Sequence, residues 1–349
     1  MLFFGSDNFS VKSLEAFLEA KKSLGRQDIH IEVVTPPNQL VGRGKKTLYK
    51  TPLSIFAESK GLMVHNPPPK TLKGWEPPLP DVSSGGPFNL AVVSSFGYII
   101  PKRIIEQFDR GAINIHPSLL PRHRGPSPIQ YTILCGDEST GVSIQTLHPT
   151  VIDGGKILSQ SKLSVPEKIN RIELENMLAH NGGQLLAKLI SDHPKLQYVG
   201  KDQDEKYITK APFINRSTAQ IDWNAHDAQQ IERMHRAVGD KEPIHTTFIR
   251  TKRKPGCQFI EIDTLCSWPD QSSQSKALEV LNEQLEGCDV QPGTIFVIKH
   301  ISPSCLYVRC INDQWLRVFK LKLEGGKAIT AKEFIGNYGI SCGSHRFGS

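Results

Sequence analysis

Two short segments of the sequence contain the three side chains best suited to chemistry. Asn114 and His116 stand two positions apart in the segment AINIH, and Asp153 stands in the segment VIDGG. Residues two apart on a strand project from the same face, so the amide and the imidazole would lie side by side. Such a pair could donate hydrogen bonds to a developing oxyanion, and a carboxylate nearby could handle a proton. These three residues are the candidate catalytic site.

Each candidate also has an ordinary structural explanation. Asn114 could satisfy backbone groups, His116 could make a structural hydrogen bond at a strand end, and Asp153 could be a turn residue. Their combination with residues 117–125 (PSLLPRHRG) favours chemistry, because the prolines restrict the backbone and Gly125 permits a close approach. Taken alone, the three side chains predict only a general site for oxyanion and proton chemistry.

The surrounding elements predict a doubly wound α/β domain with a mostly parallel sheet. Predicted strands lie at residues 2–4, 29–35, 63–64, 89–95, 112–116, 141–147 and 157–165, and predicted helices at 9–18, 53–60, 101–108, 128–135 and 172–190. Alternating strands and helices are typical of sheets in which ligands bind beyond the carboxyl ends of the strands. His116 ends one predicted strand, so the fold would place it where chemistry is expected.

The pattern changes after a polar stretch at residues 201–217. We assign residues 1–205 to a catalytic domain, 206–218 to a linker and 219–349 to a C-terminal domain. A helix at 225–238 followed by short alternating strands predicts a small, OB-like β-barrel. No element is predicted in the tail, residues 339–349. Residues 67–87, rich in Pro, Gly and Ser, predict a surface loop.

Composition narrows the class of protein. The 349 residues are 38% hydrophobic and 22% charged, which is typical of a globular chain with a buried core. The apolar runs are too short to span a bilayer, the first residues do not form a signal peptide, and the seven cysteines form no C-x-x-C pair. We therefore expect no membrane span and no metal site. Any targeting leader is expected to lie outside the given chain.

Two groups of basic residues are candidates for binding a phosphate backbone. They are Arg43, Lys45, Lys46 and Lys50 in a glycine-containing segment, and Arg250, Lys252 and Arg253 at a predicted hairpin turn of the barrel. The formal net charge of +7 is compatible with a polyanionic partner. A flexible basic loop follows an RNA backbone well, but an isolated basic cluster is more often a solvated surface.

Residues 114–125 closely resemble the signature of the folate-dependent formyltransferases. That signature reads Asn-x-His-x-Ser-Leu-Leu-Pro and then Arg-Gly, with an Asp in a glycine-bearing loop downstream. Similar segments run through the chain: FFGS at 3–6, GRGKK at 42–46, SFGYIIP at 95–101, GDESTGV at 136–142, AQIDW at 219–223 and PGTI at 292–295. They indicate the branch of the family that formylates a tRNA. The loop around Asp153 and the long segment 67–87 depart from the bacterial pattern and look more like the mitochondrial members.

This resemblance implies a reaction and a role for each catalytic candidate. The donor would be 10-formyltetrahydrofolate, the acceptor the amino group of methionine on initiator tRNA, and no metal would take part. Asn114 and protonated His116 would stabilise the oxyanion. Asp153 would orient His116, stabilise its charge and help to remove the proton of the attacking amine.

The resemblance also implies the binding surfaces. The folate would lie against Phe96, Gly97, Ile99, Ile100, Ser118, Leu119, Leu120 and Pro121. Core packing is the alternative explanation for Phe96, Ile99 and Ile100. The first basic group would engage the tRNA acceptor stem, and the second, in the barrel, is a weaker candidate. A monomer in the mitochondrial matrix is expected.

Three other functions share parts of this pattern. One is the formyltetrahydrofolate hydrolase or dehydrogenase branch, of which the dehydrogenase needs a large further domain that this sequence does not predict. A formyltransferase that acts on a small amine would keep Asn114, His116 and Asp153 but would lack the barrel and the GRGKK segment. A non-catalytic RNA-binding protein on the same scaffold would not need the three residues intact. A formylation assay separates an enzyme from such a binding protein, whereas filter binding alone does not.

Overall fold

The computed structural model describes residues 1–26, 28–44, 46–79, 87–193, 199–250, 256–268, 279–281, 283, 285, 290–298, 305–341 and 343–348. Lys45, Lys252 and Arg253 of the predicted basic groups lie outside the described residues, as do residues 80–86 of the predicted surface loop. The chain divides into two compact units. One comprises Met1–Thr132 and Asp137–Pro212, and the other Ile133–Gly136 and Phe213–Ser349.

The first unit is built on a seven-stranded sheet. The strands in this part of the chain are β1 (Leu2–Gly5), β2 (Glu32–Val34), β3 (Gln39–Val41), β4 (Thr47–Tyr49), β5 (Val64–His65), β6 (Ala91–Ser94), β7 (Ala112–His116), β8 (Ser139–Thr146) and β9 (Ile157–Ser164). The order in the sheet is β5-β2-β1-β6-β7-β8-β9, while β3 and β4 form a separate hairpin. Pairing is parallel from β5 to β7 and antiparallel for β7–β8 and β8–β9. The predicted doubly wound, mostly parallel sheet is confirmed.

Five helices in the described residues accompany this sheet, and three of them begin at a side-chain cap. They are α1 (Asn8–Ser23), α2 (Pro52–Ser59), α3 (Lys102–Ile105), α4 (Pro128–Leu134) and α5 (Arg171–Asp192). Asn170 begins α5 with a capping box that Glu173 completes. Gly183 of α5 lies so near α1 that an added Cβ would meet the carbonyl oxygen of Ser13 at 2.2 Å. Among the described helices, none has both the length and the apolar character needed to cross a membrane.

The long segment that follows β5 is only partly a surface loop. Leu72 is 3% exposed and belongs to the hydrophobic core with Phe4, and the ring of Trp75 lies edge-on to that of Phe4 at 6.2 Å between centroids. Its Pro-rich composition predicted exposure, but single apolar side chains within it pack on the sheet.

Glu32, the first residue of β2, is a buried carboxylate with two histidine partners. Its side chain is 6% exposed, and its two oxygens contact Nε2 of His30 at 2.8 Å and Nε2 of His65 at 2.5 Å. Burial raises the pKa of Glu32, but the hydrogen bonds from the two histidines outweigh burial and leave the pKa below its ordinary value. This cluster therefore links the segment around β2 to β5 through a carboxylate whose charged form is favoured by folding.

Replacing Glu32 by glutamine is expected to lower the free energy of unfolding by about 1–3 kcal/mol near pH 7. A group whose pKa is lowered on folding stabilises the fold above its unfolded-state pKa and loses that effect as the pH falls through its folded-state pKa. The difference between wild type and variant should therefore shrink below pH 4.5, the ordinary value for Glu32. Unfolding measured from neutral to acid pH tests this, with Glu19→Gln on the exposed side of α1 as control. A difference that stays constant in acid would contradict the expectation.

The second unit contains a closed antiparallel barrel. Its elements are α6 (Ala228–Val238), β10 (His245–Arg250), β11 (Gly256–Trp268), β12 (Thr294–Phe296), β13 (Leu306–Arg309), β14 (Trp315–Leu323), β15 (Ala328–Thr330), α7 (Ala331–Tyr338) and β16 (His345–Gly348). The strands pair in the order β11-β10-β16-β12-β13-β14, β15 adds to β14, and pairing of β14 with β11 closes the ring. The predicted barrel is confirmed.

The prediction that the C-terminal tail carries no element was wrong. His345–Gly348 forms β16, which pairs with β10 on one side and β12 on the other, so the barrel ring passes through it. Phe347 is 1% exposed, and its ring stacks on Trp223 at 5.8 Å between centroids. The short run HRFG has too few residues for its alternation to stand out, and long-range pairing decides its conformation.

Candidate active site

β7 carries the first two catalytic candidates. Asn114 lies opposite Val93 of β6 and Gln145 of β8, and His116 is the last residue of the strand, 4% exposed. Nε2 of His116 lies 3.0 Å from the carbonyl oxygen of His123. Because a carbonyl oxygen only accepts hydrogen bonds, Nε2 must carry a proton. The remaining ring nitrogen, Nδ1, is therefore the one available for chemistry.

Asp153 lies in a turn between β8 and β9 and reaches both candidates on β7. Its Oδ1 is 3.4 Å from Nδ1 of His116 and 3.4 Å from Nδ2 of Asn114. Its Oδ2 accepts a hydrogen bond of 2.9 Å from the backbone N–H of Gly125, at the end of the motif. The structure thus brings together three residues that the sequence separates by up to 39 positions.

Gln145 is a site residue that the sequence analysis missed. It lies on β8 opposite Asn114, is 1% exposed, and donates from Nε2 to Oδ1 of Asp153 at 2.9 Å. That hydrogen bond is shorter than either contact that Asn114 or His116 makes with the carboxylate. A signal was present, because Gln145 is an amide within the apolar alternating run GVSIQTL. A buried amide on a strand next to the motif predicts a partner in the site.

The motif turn after β7 is held by β8. Oγ of Ser143 donates to the carbonyl oxygen of Ser118 at 2.7 Å and accepts from the N–H of Leu120 at 3.0 Å. The peptide bond between Leu120 and Pro121 is cis. Ser118 and Leu120 are buried, while Leu119 and Pro121 are half-buried. Of the four predicted folate contacts in this turn, Leu119 and Pro121 therefore retain accessible side-chain surface.

The predicted folate residues after β6 divide in the same way. Phe96 and Ile100 are 2% and 8% exposed and pack in the core, where Phe96 lies 5.4 Å from the ring of Phe4. Gly97 is exposed with a φ of 81°, and Ile99 is 80% exposed. Core packing accounts for Phe96 and Ile100, so Gly97 and Ile99 provide the surface that a ligand here would contact.

A second charged cluster adjoins the site. His123 is 4% exposed, its Nε2 lies 2.6 Å from Oδ2 of Asp137, and Arg122 donates to Oδ1 of the same carboxylate at 2.6 Å. Burial raises the pKa of Asp137, but hydrogen bonds and charge from His123 and Arg122 outweigh it and leave the pKa below its ordinary value. These contacts hold His123 in place, and its carbonyl oxygen accepts the hydrogen bond from Nε2 of His116.

Two members of the first basic group lie on the hairpin formed by β3 and β4, an element that sequence analysis had read as a loop. Arg43 and Lys46 are exposed in the turn. Leu40 and Leu48 face each other across the two strands and are 56% and 57% exposed. The hairpin therefore presents cationic and apolar side chains together to solvent.

Two other basic candidates make contacts within the protein. Lys50 forms an ion pair with Glu58 of α2 at 2.8 Å. Arg250, at the end of β10, is half-buried, and its guanidinium lies 5.8 Å from the centre of the Tyr338 ring. Both have an intramolecular role, so the residues with the clearest outward charge are Arg43 and Lys46.

An amide and an imidazole on one strand of a doubly wound sheet, with a carboxylate from the next turn beside them, have the geometry for acyl-transfer chemistry. Within the described part of the chain, no group of three or more His, Cys, Asp and Glu side chains is arranged to hold a metal ion. The chain belongs to the formyl transferase family. The family's N-terminal formyl transferase model matches residues 1–190, and its C-terminal domain model matches residues 214–339. The protein is therefore an enzyme that transfers a formyl group.

The chain is also similar to individual proteins of known name and to a solved structure. The chain is 32% identical over 339 residues to the mitochondrial methionyl-tRNA formyltransferase of Mus musculus. The match covers 97% of this chain and 78% of the mouse protein. The chain is 33% identical over 340 residues to the corresponding protein of Bos taurus, with 97% and 77% covered. Among solved structures, an N-formyltransferase from Helicobacter canadensis in complex with folinic acid and dTDP-3-aminofucose superposes with a TM-score of 0.57. Its 15% identity, over 91% of this chain and 97% of that one, supports likeness of fold alone.

Proposed function

We propose that this enzyme transfers the formyl group of 10-formyltetrahydrofolate to the amino group of methionine on initiator tRNA, which supports translation initiation. The observation that carries the proposal is the cluster of Asn114, His116 and Asp153 in a chain whose relatives over 97% of its length are mitochondrial methionyl-tRNA formyltransferases. The basic hairpin favours a tRNA acceptor over a small amine, for which it is not needed.

The contacts of His116 suggest how the chemistry would run. Nε2 is held by a carbonyl oxygen, so only Nδ1 would donate to the negative charge that develops on the formyl oxygen, together with Nδ2 of Asn114. A ring that donates from both nitrogens is positively charged. Asp153, 3.4 Å from Nδ1, would stabilise that charge and help to remove the proton of the attacking amine.

The proposed donor site uses the exposed members of the predicted set. Gly97 and Ile99 on one side, with Leu119 and Pro121 of the motif turn, would contact the tetrahydrofolate. An apolar side chain such as Ile99, which is 80% exposed, suits the flat face of a ring system. The buried members, Phe96, Ile100, Ser118 and Leu120, would support this surface from beneath.

The proposed tRNA surface begins at the β3–β4 hairpin. Arg43 and Lys46 would contact phosphates, and the exposed Leu40 and Leu48 would lie against unpaired bases at the end of the acceptor stem. Lys50 and Arg250 are secondary candidates because both already contact other side chains. Lys45, Lys252 and Arg253 remain candidates on sequence grounds.

A mitochondrial location is part of the proposal. Relatives from mouse, cattle and human that match 97% of this chain are mitochondrial proteins, and the matrix is where an initiator tRNA would be met. A monomer is the proposed form.

Formylation of charged initiator tRNA is the direct test. With 10-formyltetrahydrofolate, we expect formyl-methionine to form on charged initiator tRNA, with slower transfer to charged elongator methionine tRNA and no transfer to uncharged tRNA. Binding of tRNA without product would identify a non-catalytic binding protein. Efficient transfer to an amino-sugar nucleotide, with none to tRNA, would support the small-amine alternative.

A further inference from the structure

Asp153 occupies a loop whose internal hydrogen bonds, such as those from the N–H of Val151 to Nδ1 of His148 and from the N–H of Gly154 to the carbonyl of Val151, do not reach its carboxylate. Val151 and Ile152 are 46% and 69% exposed, and Asp153 has a φ of 51°, in a region that residues other than glycine seldom adopt. Gly155 lies so close to β8 that a Cβ there would meet the carbonyl oxygen of Thr146 at 1.6 Å. The direction of the catalytic carboxylate must therefore depend on groups outside the loop.

Gln203, beyond the end of α5, supplies such groups. Its Nε2 donates to the carbonyl oxygen of Asp153 at 2.8 Å and to that of Gly155 at 2.7 Å. These two carbonyls lie on either side of Gly154, so one amide group spans the turn. An amide nitrogen carries two hydrogens, and the two short bonds use both of them. A third, longer contact of 3.2 Å runs to Oε1 of Gln145, the residue that donates to Oδ1 of Asp153.

The other end of the Gln203 side chain contacts the catalytic motif. Its Oε1 accepts from Nε and Nη2 of Arg124 at 2.9 and 2.8 Å. The next residue, Gly125, donates its N–H to Oδ2 of Asp153. The backbone of Arg124 is itself paired, since its N–H donates to Thr209 and its carbonyl accepts from Ala211. Gln203 thus connects the segment that holds the carboxylate to the turn that carries it.

The orientation of the amide follows from its neighbours. Arginine only donates and carbonyl oxygens only accept, so Oε1 must face Arg124 and Nε2 must face the Asp153 loop. No other common side chain of this length offers an acceptor at one edge and two donors at the other. Glutamate keeps the acceptors and removes the donors, which makes the role of the donors separately measurable.

We propose that Gln203 is a positioning residue for Asp153 and that its amide donors set the geometry of the catalytic carboxylate. The proposal rests on the role proposed above for Asp153 in formyl transfer. Gln203 lies in the interval between the two matched family models, after residue 190 and before residue 214.

The test is Gln203→Glu. The variant keeps the acceptor for Arg124, now as an ion pair, and places a carboxylate against two carbonyl oxygens. We expect kcat to fall by about 10–100-fold, as for a displaced catalytic group, while KM for donor and tRNA stays within about twofold. Because two carbonyl oxygens lose their donor, the melting temperature should fall, but the retained contact with Arg124 should keep the protein folded at the assay temperature. Gln203→Ala removes both the acceptor for Arg124 and the donors to the Asp153 loop, and its kcat should fall by the same factor.

Two comparisons make the outcome decisive. Gln184→Glu makes the same change at an exposed position on α5 and should leave kcat at the wild-type value. Arg124→Met leaves the donors of Gln203 in place and should cost less kcat than Gln203→Glu. A Gln203→Glu enzyme with a kcat within about twofold of wild type would overturn the proposal. A kcat loss fully accounted for by loss of folded protein would overturn it as well.

Hydrogen exchange separates this proposal from the proposed function. Without the Gln203 donors, backbone amides of the loop at residues 151–155 should exchange faster than in wild type, whatever reaction the enzyme performs. Unchanged exchange in Gln203→Ala would refute the positioning role even if formylation is observed. If the loop exchanges faster in Gln203→Ala but the wild-type enzyme formylates no tRNA, tRNA would be refuted as the acceptor. The positioning role of Gln203 would still hold.

Discussion

Replacing His116 by alanine is expected to lower kcat by about 10³-fold, the upper end of what removal of one oxyanion donor costs. In the proposed mechanism His116 presents a single nitrogen, Nδ1, to the reacting groups, and Asp153 lies 3.4 Å from it. Without the ring, the carboxylate has no cation to stabilise, so two contributions are lost with one side chain. Single-turnover formylation measures the effect apart from product release. Asn114→Ala and Asp153→Ala should also lose most turnover.

The His116 variant needs a control for folding, because the ring is buried. Loss of the bond to His123 leaves a buried carbonyl oxygen without its partner, which costs about 1–3 kcal/mol of stability. That cost should leave the protein folded at 25 °C. His180→Ala, at an exposed position on α5, removes the same side chain outside the site and should retain wild-type kcat. Near wild-type turnover in His116→Ala would sink the catalytic assignment.

Replacing Arg43 by glutamate is expected to raise KM for tRNA by about tenfold or more, because the proposed contact with a phosphate would be replaced by repulsion. The effect should fall as salt is added, since salt screens exposed charges. KM for the formyl donor should not change, because none of the proposed donor contacts lies on the hairpin of β3 and β4. Initial rates at several tRNA and salt concentrations measure both parameters.

A graded series tests whether the position of the charge matters. Lys22→Glu, on an exposed turn of α1, changes the net charge equally and should leave KM for tRNA near the wild-type value. Lys50→Gln should have a smaller effect than Arg43→Gln, because Lys50 already pairs with Glu58 at 2.8 Å. Equal effects at Lys22 and Arg43 would show that overall charge, rather than the hairpin, governs tRNA binding.

Much of the fold was predictable because its signals are local. The strand that became β7 was predicted at residues 112–116 with the same bounds, since an apolar run between a helix and a proline defines both ends. The buried strands β1 and β6 were predictable for the same reason. Boundaries drifted where the last turn of a helix depends on neighbours, as in α5, which begins at Arg171 and ends at Asp192.

What was missed depends on contacts between distant segments. β16 is a strand because β10 and β12 lie on either side of it, and the four residues HRFG do not by themselves indicate these partners. The hairpin of β3 and β4 was read as a basic loop because its six strand residues, QLV and TLY, are exposed and carry no buried face. No local sequence pattern indicates that Gln203 contacts the site, and only its hydrogen bonds in the folded chain identify it.

By itself, the sequence determined which residues could perform the chemistry. A spacing of two on a strand places Asn114 and His116 on one face whatever surrounds them, and the longer motif pointed to formyl transfer. Only the tertiary structure decided how Asp153 is held and which nitrogen of His116 is free to act. Those depend on the backbone of Gly125, the carbonyl of His123 and the amides of Gln145 and Gln203. Such contacts join segments whose separation along the chain carries no information about their distance in space.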